Sequence, residues 1–213
     1  MQSFAVRGVE VRSYGAIPAA VEEARRILET MITRPDIADR LRKNKVTMVI
    51  VPANAKLTDL PEFAHLRGKR TADGRRFEDV RGVATYVRDG RYYAAVSEEN
   101  LGSLPQDGYG GAGSYSVGIH EMGHAILERG VTGIEKFFER LHFHSGKDRR
   151  AFVTGYAGTN YHEYMAESTG AYFRRNAFAG DRNSPGWLQQ NDPGMYFFLY
   201  RVYGPPPPPL ATS

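Results

Sequence analysis

The sequence predicts one domain that combines helices with a few strands, arranged around a helix able to bind a metal ion. Three observations carry that expectation. Apolar residues recur at helical spacing in several stretches, a compact β-branched run at 46–51 reads as a buried strand, and the stretch 114–130 contains His-Glu-x-x-His. A chain of 213 residues can bury a substantial core, as one large domain or two small ones. Without internal repeats or a convincing boundary, residues 1–203 read as a single domain and 204–213 as a proline-rich tail.

Composition narrows the chemistry. With 41% hydrophobic and 24% charged residues the chain is ordinary for a globular protein, and a net charge of +4 permits acidic partners without requiring them. No cysteine is present, which excludes a disulfide framework and a thiolate metal site and leaves His, Asp and Glu as ligands. No run approaches the ~20 apolar residues of a membrane span. The N-terminus, Met1 to Gly8, lacks the apolar core of a signal peptide. Export would then require a leader already removed, or passage within something larger.

The elements follow in order. Ile17, Val21, Ala24, Leu28 and Met31 mark a first amphipathic helix, with Pro18 suited to its opening turn. Pro35 opens a shorter helix ending near Lys43. Val46 to Val51, closed by Pro52, reads as a buried strand, and Leu57 to Leu66 as a stretch containing a short helix. The basic stretch 67–76 lacks the interleaved aromatics of a nucleic-acid patch, so a solvated loop is expected there. Val83–Val87 and Arg91–Ser97 flank Asp89-Gly90, a hairpin signature. Its second strand is a candidate edge for pairing with a substrate backbone, or a plain structural strand. Asp107 to Gly113 lacks the Gly-Lys-Ser/Thr ending of a phosphate loop and reads as a loop at the rim of a cleft.

Next comes the central motif. On a helix, residues four apart stack on one face, so His120 and His124 can reach one cation. Ile119, Met122, Gly123 and Ile126 would bury the adjoining face, and Gly130 reads as the C-terminal stop. Glu121 points at the flank, within reach of an attacking water. Two nitrogen ligands, one unbound carboxylate and an open position are the layout of a zinc protease.

After it, Thr132 and Glu135 form a capping box for a helix carrying Phe137, Phe138 and Leu141. His142 and His144, two apart, would face opposite ways in a strand, away from any metal. A long helix begins near Asn160, and Asp192-Pro193 caps a last aromatic helix through Tyr203. Pro205 to Pro209 must be polyproline II, expected to be unpacked.

Two histidines need a third ligand. The downstream candidates are His142, His144, Asp148, His162, Glu163 and Glu167. Glu163 and Glu167 lie four apart on one helical face, so one can bind the metal while the other accepts the free ring N–H of a ligand histidine. Asn160-x-x-Glu163 also fits a capping box, which would occupy Glu163 and leave Glu167 as ligand.

The combination of His-Glu-Met-Gly-His at 120–124, Tyr156, and Asn160-Tyr-His-Glu-Tyr-Met-Ala-Glu167 resembles the anthrax lethal factor catalytic domain and the Pro-Pro endopeptidases. The likeness covers about residues 83 to 178; the N-terminal helices fit it loosely and the polyproline tail has no place in it. It implies a zincin-type α+β fold of the gluzincin kind: a twisted mixed sheet with its edge strand along the cleft, the His-Glu-x-x-His helix beneath, and a ligand glutamate on a following helix. It implies that His120, His124 and Glu163 hold Zn2+, with Tyr156 seven residues before that glutamate, and that Glu167 stands behind them. Glu121 would act as general base and the Tyr156 hydroxyl would donate to the oxyanion. The activity implied is endopeptidase action on peptides, proline-containing ones among them, by a secreted protease or a delivered toxin's catalytic part. The alternatives are an inactive binding module on the same fold, and a nucleic-acid binder using 67–76. Against the inactive module, both histidines, both glutamates and the tyrosine are present.

Overall fold

The computed structural model describes residues 1–71, 74–86, 89–101, 116–149 and 151–208. The expected loop at Asp107 to Gly113 lies outside the described residues, as does the side chain of Asp148.

A five-stranded mixed sheet runs in the order β1-β2-β3-β5-β4: β1 Gln2–Val6, β2 Val9–Ser13, β3 Val46–Val51, β4 Gly82–Tyr86 and β5 Tyr92–Ser97. The first two strands were not anticipated. They form a hairpin whose turn, Arg7 and Gly8, has positive φ at both positions, the geometry that matches strand twist but without the usual Asn-Gly signature. A Cβ at Gly8 would also collide with the Ala38 carbonyl oxygen.

β3 is buried throughout because both faces are covered. Met48 and Ile50 join the main core under the helices, while Val49 and Val51 pack with Leu57, Leu60 and Phe63 on the other face. That second covering is made by two short 3₁₀ helices, Leu57–Asp59 and Ala64–Leu66, within the stretch expected to contain a short helix. β3 pairs parallel with β5, and β5 antiparallel with β4. The second hairpin strand is therefore interior; the edge belongs to the first, β4.

Helices α1 (Pro18–Met31) and α2 (Pro35–Lys43) begin on their prolines, as anticipated. α3 (Val117–Ala125) is capped by Ser116, whose Oγ accepts from Ile119 N at 3.2 Å, and continues as a wider π turn over Ile126–Gly130. Gly130 does close this helix, but not through a left-handed backbone. It lies where a Cβ would stand 3.2 Å from Ile37 and 3.3 Å from Leu41, so small size against α2 is what the position requires.

The Thr132–Glu135 capping box forms: Thr132 N donates to Glu135 Oε2 at 2.6 Å and Glu135 N to Thr132 Oγ1 at 3.3 Å. The helix it starts, α4 (Gly133–Arg149), runs through His142 and His144, which are helical and not in a strand. α5 (Tyr161–Tyr172) is capped by Asn160, then follow α6 (Pro185–Asn191) and α7 (Pro193–Tyr203), the latter capped by Asp192. The Tyr164 hydroxyl donates to Asp192 at 2.5 Å, tying α5 to the start of α7. The first tail residues are held: the Tyr172 hydroxyl donates to Gly204 O at 2.6 Å and Arg174 to Pro207 O at 2.7 Å.

What positions the site is the crossing of α3 and α5. Their close contact depends on Gly123, where a Cβ would stand 3.2 Å from the Ala166 Cα and 3.4 Å from Thr169. Ile119, Met122 and Ile126 fix the rest of α3 in the core. Helices touching at small residues bring short-range side chains one turn away into direct contact.

Candidate metal centre

At and one turn before that crossing, α3 presents His124 and His120, and α5 presents Glu167 and Glu163. His120 Nε2 and His124 Nε2 lie 3.2 Å apart, and Glu163 Oε2 lies 3.2 Å from the first and 3.4 Å from the second. Four-coordinate zinc with bonds of about 2.0–2.1 Å would space its ligands about 3.3–3.4 Å apart. Among the described residues, Glu163 Oε2 is buried without a hydrogen bond of good geometry. Three atoms able to ligate a metal converge at 3.2–3.4 Å from one another, and a cation satisfies such a set. His120, His124 and Glu163 therefore fit a metal ion.

The electrostatics agree. Burial on its own would lower the His120 imidazole, but contacts with Glu163 and Glu167 outweigh it and raise the group to about 10. Glu163 goes the other way: burial raises it, and His120 and His124 pull it well below the carboxylate range. The cluster carries surplus negative charge that a proton, or a divalent ion, neutralises.

Glu167 serves the ring from behind. His120 Nδ1 lies 3.1 Å from Glu167 Oε1, which turns Nε2 toward His124 and Glu163. The other oxygen of Glu167 accepts from Thr154 at 2.7 Å and Asn176 at 3.0 Å. Thr154 and Asn176 were missed, since no spacing in the sequence links them to this carboxylate. The Asn160 cap and Glu163 ligation are compatible: Asn160 Oδ1 accepts from Glu163 N at 3.0 Å while the Glu163 side chain faces the histidines.

Glu121 is only 8% exposed and opens on the same cleft. Burial raises its carboxyl, and the charges of His120, His124 and Arg75 oppose that rise. Tyr156, 48% exposed at the start of a 3₁₀ turn (Tyr156–Gly158), stacks near His120 with ring centroids 6.4 Å apart and planes at 17°. The cleft holds about 710 Å³ and runs along β4, with Tyr92 and Phe178 also in its wall.

The other candidates fall elsewhere. His142 packs against Gly194 of α7, and His144 lies against Phe143. His162 enters the cleft, but pairs with Glu128 at 3.1 Å instead of joining the three-residue group. Two members of the basic stretch, Thr71 and Arg75, also line the cleft, which its composition did not foretell.

No protein-family model and no curated protein matches the sequence. The solved structure of a Pro-Pro endopeptidase from Paenibacillus alvei is similar in fold, with a TM-score of 0.65 at 22% identity, covering 92% of this chain and 97% of that one. The likeness bears on the Pro-Pro endopeptidase side of the resemblance and not on lethal factor. It agrees with the α+β fold and mixed sheet described above.

Proposed function

We propose that this chain is a zinc-dependent endopeptidase. The observation that carries it is the convergence of His120, His124 and Glu163 beside a buried, unligated Glu121, in a cleft bounded by a sheet edge. Zinc held by those three residues would supply Lewis acidity to the peptide carbonyl and to the attacking water. Glu121 takes the proton from that water and passes it to the leaving amine, a task suited to a carboxyl that burial pushes upward. The Tyr156 hydroxyl donates to the carbonyl oxygen as its charge develops, a contribution of about 10²–10³ in rate for a comparable donor. Glu167 keeps the His120 ring in the tautomer the metal needs.

The substrate backbone pairs with the outer edge of β4, whose Gly82 lets the strand lie close against Val117 and Glu121 of α3. A preference for proline is supported by the likeness to a Pro-Pro endopeptidase and by the rings of Tyr92, Tyr156 and Phe178 in the cleft. Export, as a secreted protease or as the catalytic part of a delivered toxin, rests on the resemblance alone. Among the described residues no helix is long and apolar enough to cross a membrane.

The test is digestion of a diverse peptide library by the zinc-loaded protein, with and without chelator. Chelator-sensitive cleavage beside proline is expected. Failure of the zinc-loaded protein to cut any peptide would refute the activity.

A further inference from the structure

The C-terminal prolines are seated on the fold. Pro206 and Pro207 are half-buried, and Pro207 with Pro208 walls a groove of about 170 Å³. Ile27 and Thr30 of α1, Ile119 of α3 and Phe173, just past α5, are among its other walls. Consecutive prolines extend as polyproline II, a preformed helix with unpaired carbonyls that suits an aromatic-lined groove. Here the Arg174 guanidinium donates to one of those carbonyls, Pro207 O, at 2.7 Å. The groove lies behind the metal helix: Ile119 lines it, while the next residue, His120, lines the cleft.

Arg174 stands where the backbone favours glycine. Its φ is 57°, and it closes α5 with Arg174 N donating to Ala171 O at 3.0 Å and Arg175 N to Gly170 O at 2.8 Å. Glycine is usual at such a helix end, because a Cβ crowds the left-handed backbone. Strain kept at one residue points to a use for its side chain. The next two residues reach the metal centre. Arg175 O accepts from Ser116 N at 3.1 Å, at the start of α3. Asn176 Nδ2 donates to Glu167 Oε2 at 3.0 Å, and Glu167 Oε1 lies 3.1 Å from His120 Nδ1. Gly170 permits this closure, since a Cβ there would stand 3.1 Å from that of Asn176. Three successive residues thus hold the tail, the metal helix and the carboxylate behind His120.

We propose that this groove is a binding site for a polyproline II peptide, filled in this chain by its own tail, and that filling it steadies Glu167 behind His120. The second half rests on the zinc reading of His120, His124 and Glu163. The seated tail identifies the ligand class: prolines offer a carbonyl to the guanidinium and rings to the apolar wall. Arg174 is a positioning residue, acting on the metal centre through the loop that it opens.

The experiment uses Glu121→Gln chains, so that no peptide is consumed. A chain ending at Gly204 is compared with the same chain carrying Arg174→Gly, which suits the backbone, or Arg174→Lys. A fluorescein-labelled peptide of residues 205–213, and its counterpart with alanine for every proline, report binding by anisotropy. The proline peptide is expected to bind the shortened chain, about tenfold more weakly after Arg174→Gly, with Arg174→Lys between and the alanine peptide weakest. Zinc affinity is read separately, by competition with a chelator. Loss of the tail should weaken zinc by about two- to tenfold, less than outright removal of an outer partner, and the proline peptide added in trans should restore it. Should the shortened chain not fold, the zinc affinities of full-length wild type, Arg174→Gly and Arg174→Lys decide, and equal values overturn the coupling. Peptide binding that ignores Arg174→Gly overturns the site, and zinc affinity that ignores the tail overturns the coupling. Arg174-dependent binding by a chain that takes up no zinc upholds the groove and refutes the metal centre instead.

Discussion

Two of the buried carboxylates of this chain, Glu167 on α5 and Glu139 on α4, are handled in opposite ways. On α5, Glu167 is 3% exposed and every approach to it is matched, by His120, Thr154 and Asn176. On α4, Glu139 is 0% exposed and neither oxygen has a hydrogen-bond partner among the described residues. Burial there pushes the carboxyl up to about 9, with only Arg140 opposing. A proton does for Glu139 what polar partners do for Glu167. The outward faces are inverted too. α4 turns Ile134, Phe137, Phe138 and Leu141 to solvent while Glu139 and Phe143 point in. On α5 polar partners match the buried acid; on α4 a proton neutralises it.

The contrast can be broken most sharply at the site. Replacing Glu121 by Gln should leave zinc content intact and lower turnover by about 10²–10⁴, read from kcat on a peptide substrate and metal analysis of the purified protein. Equal activity would strip Glu121 of its role. Next in size, Glu167→Ala should weaken zinc by about 10–100-fold, as for an outer partner of a ligand histidine, and Glu163→Ala should weaken it more. Competition with a graded series of chelators measures both, and the reverse order would exchange their assignments.

The smallest effect is expected at Glu139. Changing it to Leu should stabilise the fold by about 1–3 kcal/mol, the cost of an unsatisfied buried polar group. Its pH dependence has a definite sign. Between the ordinary glutamate range and about 9, the folded protein keeps a proton that the unfolded chain has lost. Wild-type stability should therefore fall as pH rises through that window, and the advantage of Glu139→Leu should widen from about pH 5 to about pH 9 in denaturant unfolding. A constant difference would mean that Glu139 is matched after all.

Local signals made part of this legible. Prolines at 18, 35 and 193, the Thr132–Glu135 box and the Asn160 cap located helix starts, and the spacing of His120, His124 and the two α5 glutamates brought out the metal group. What escaped was decided by neighbours distant in sequence. Strand order made β4 the edge, although both hairpin strands read alike. The buried face of α4 was set by what α5 and α7 present to it, not by its own apolar residues. Arg75, Thr154 and Asn176 reach the cleft or its ligands through loop paths that leave no periodic trace.

Gly123 holds no ligand and touches no substrate, yet it governs how far apart the two halves of the donor set stand. A coordination sphere split between separate helices inherits its bite from the gap between their axes, and here that gap is dictated by a carbon atom that was left out. One methyl added at the crossing would work as a wedge, prising the carboxylate away from the imidazoles with every ligating group still in place. Selection can thus tune this centre from the rear, through steric calibre alone.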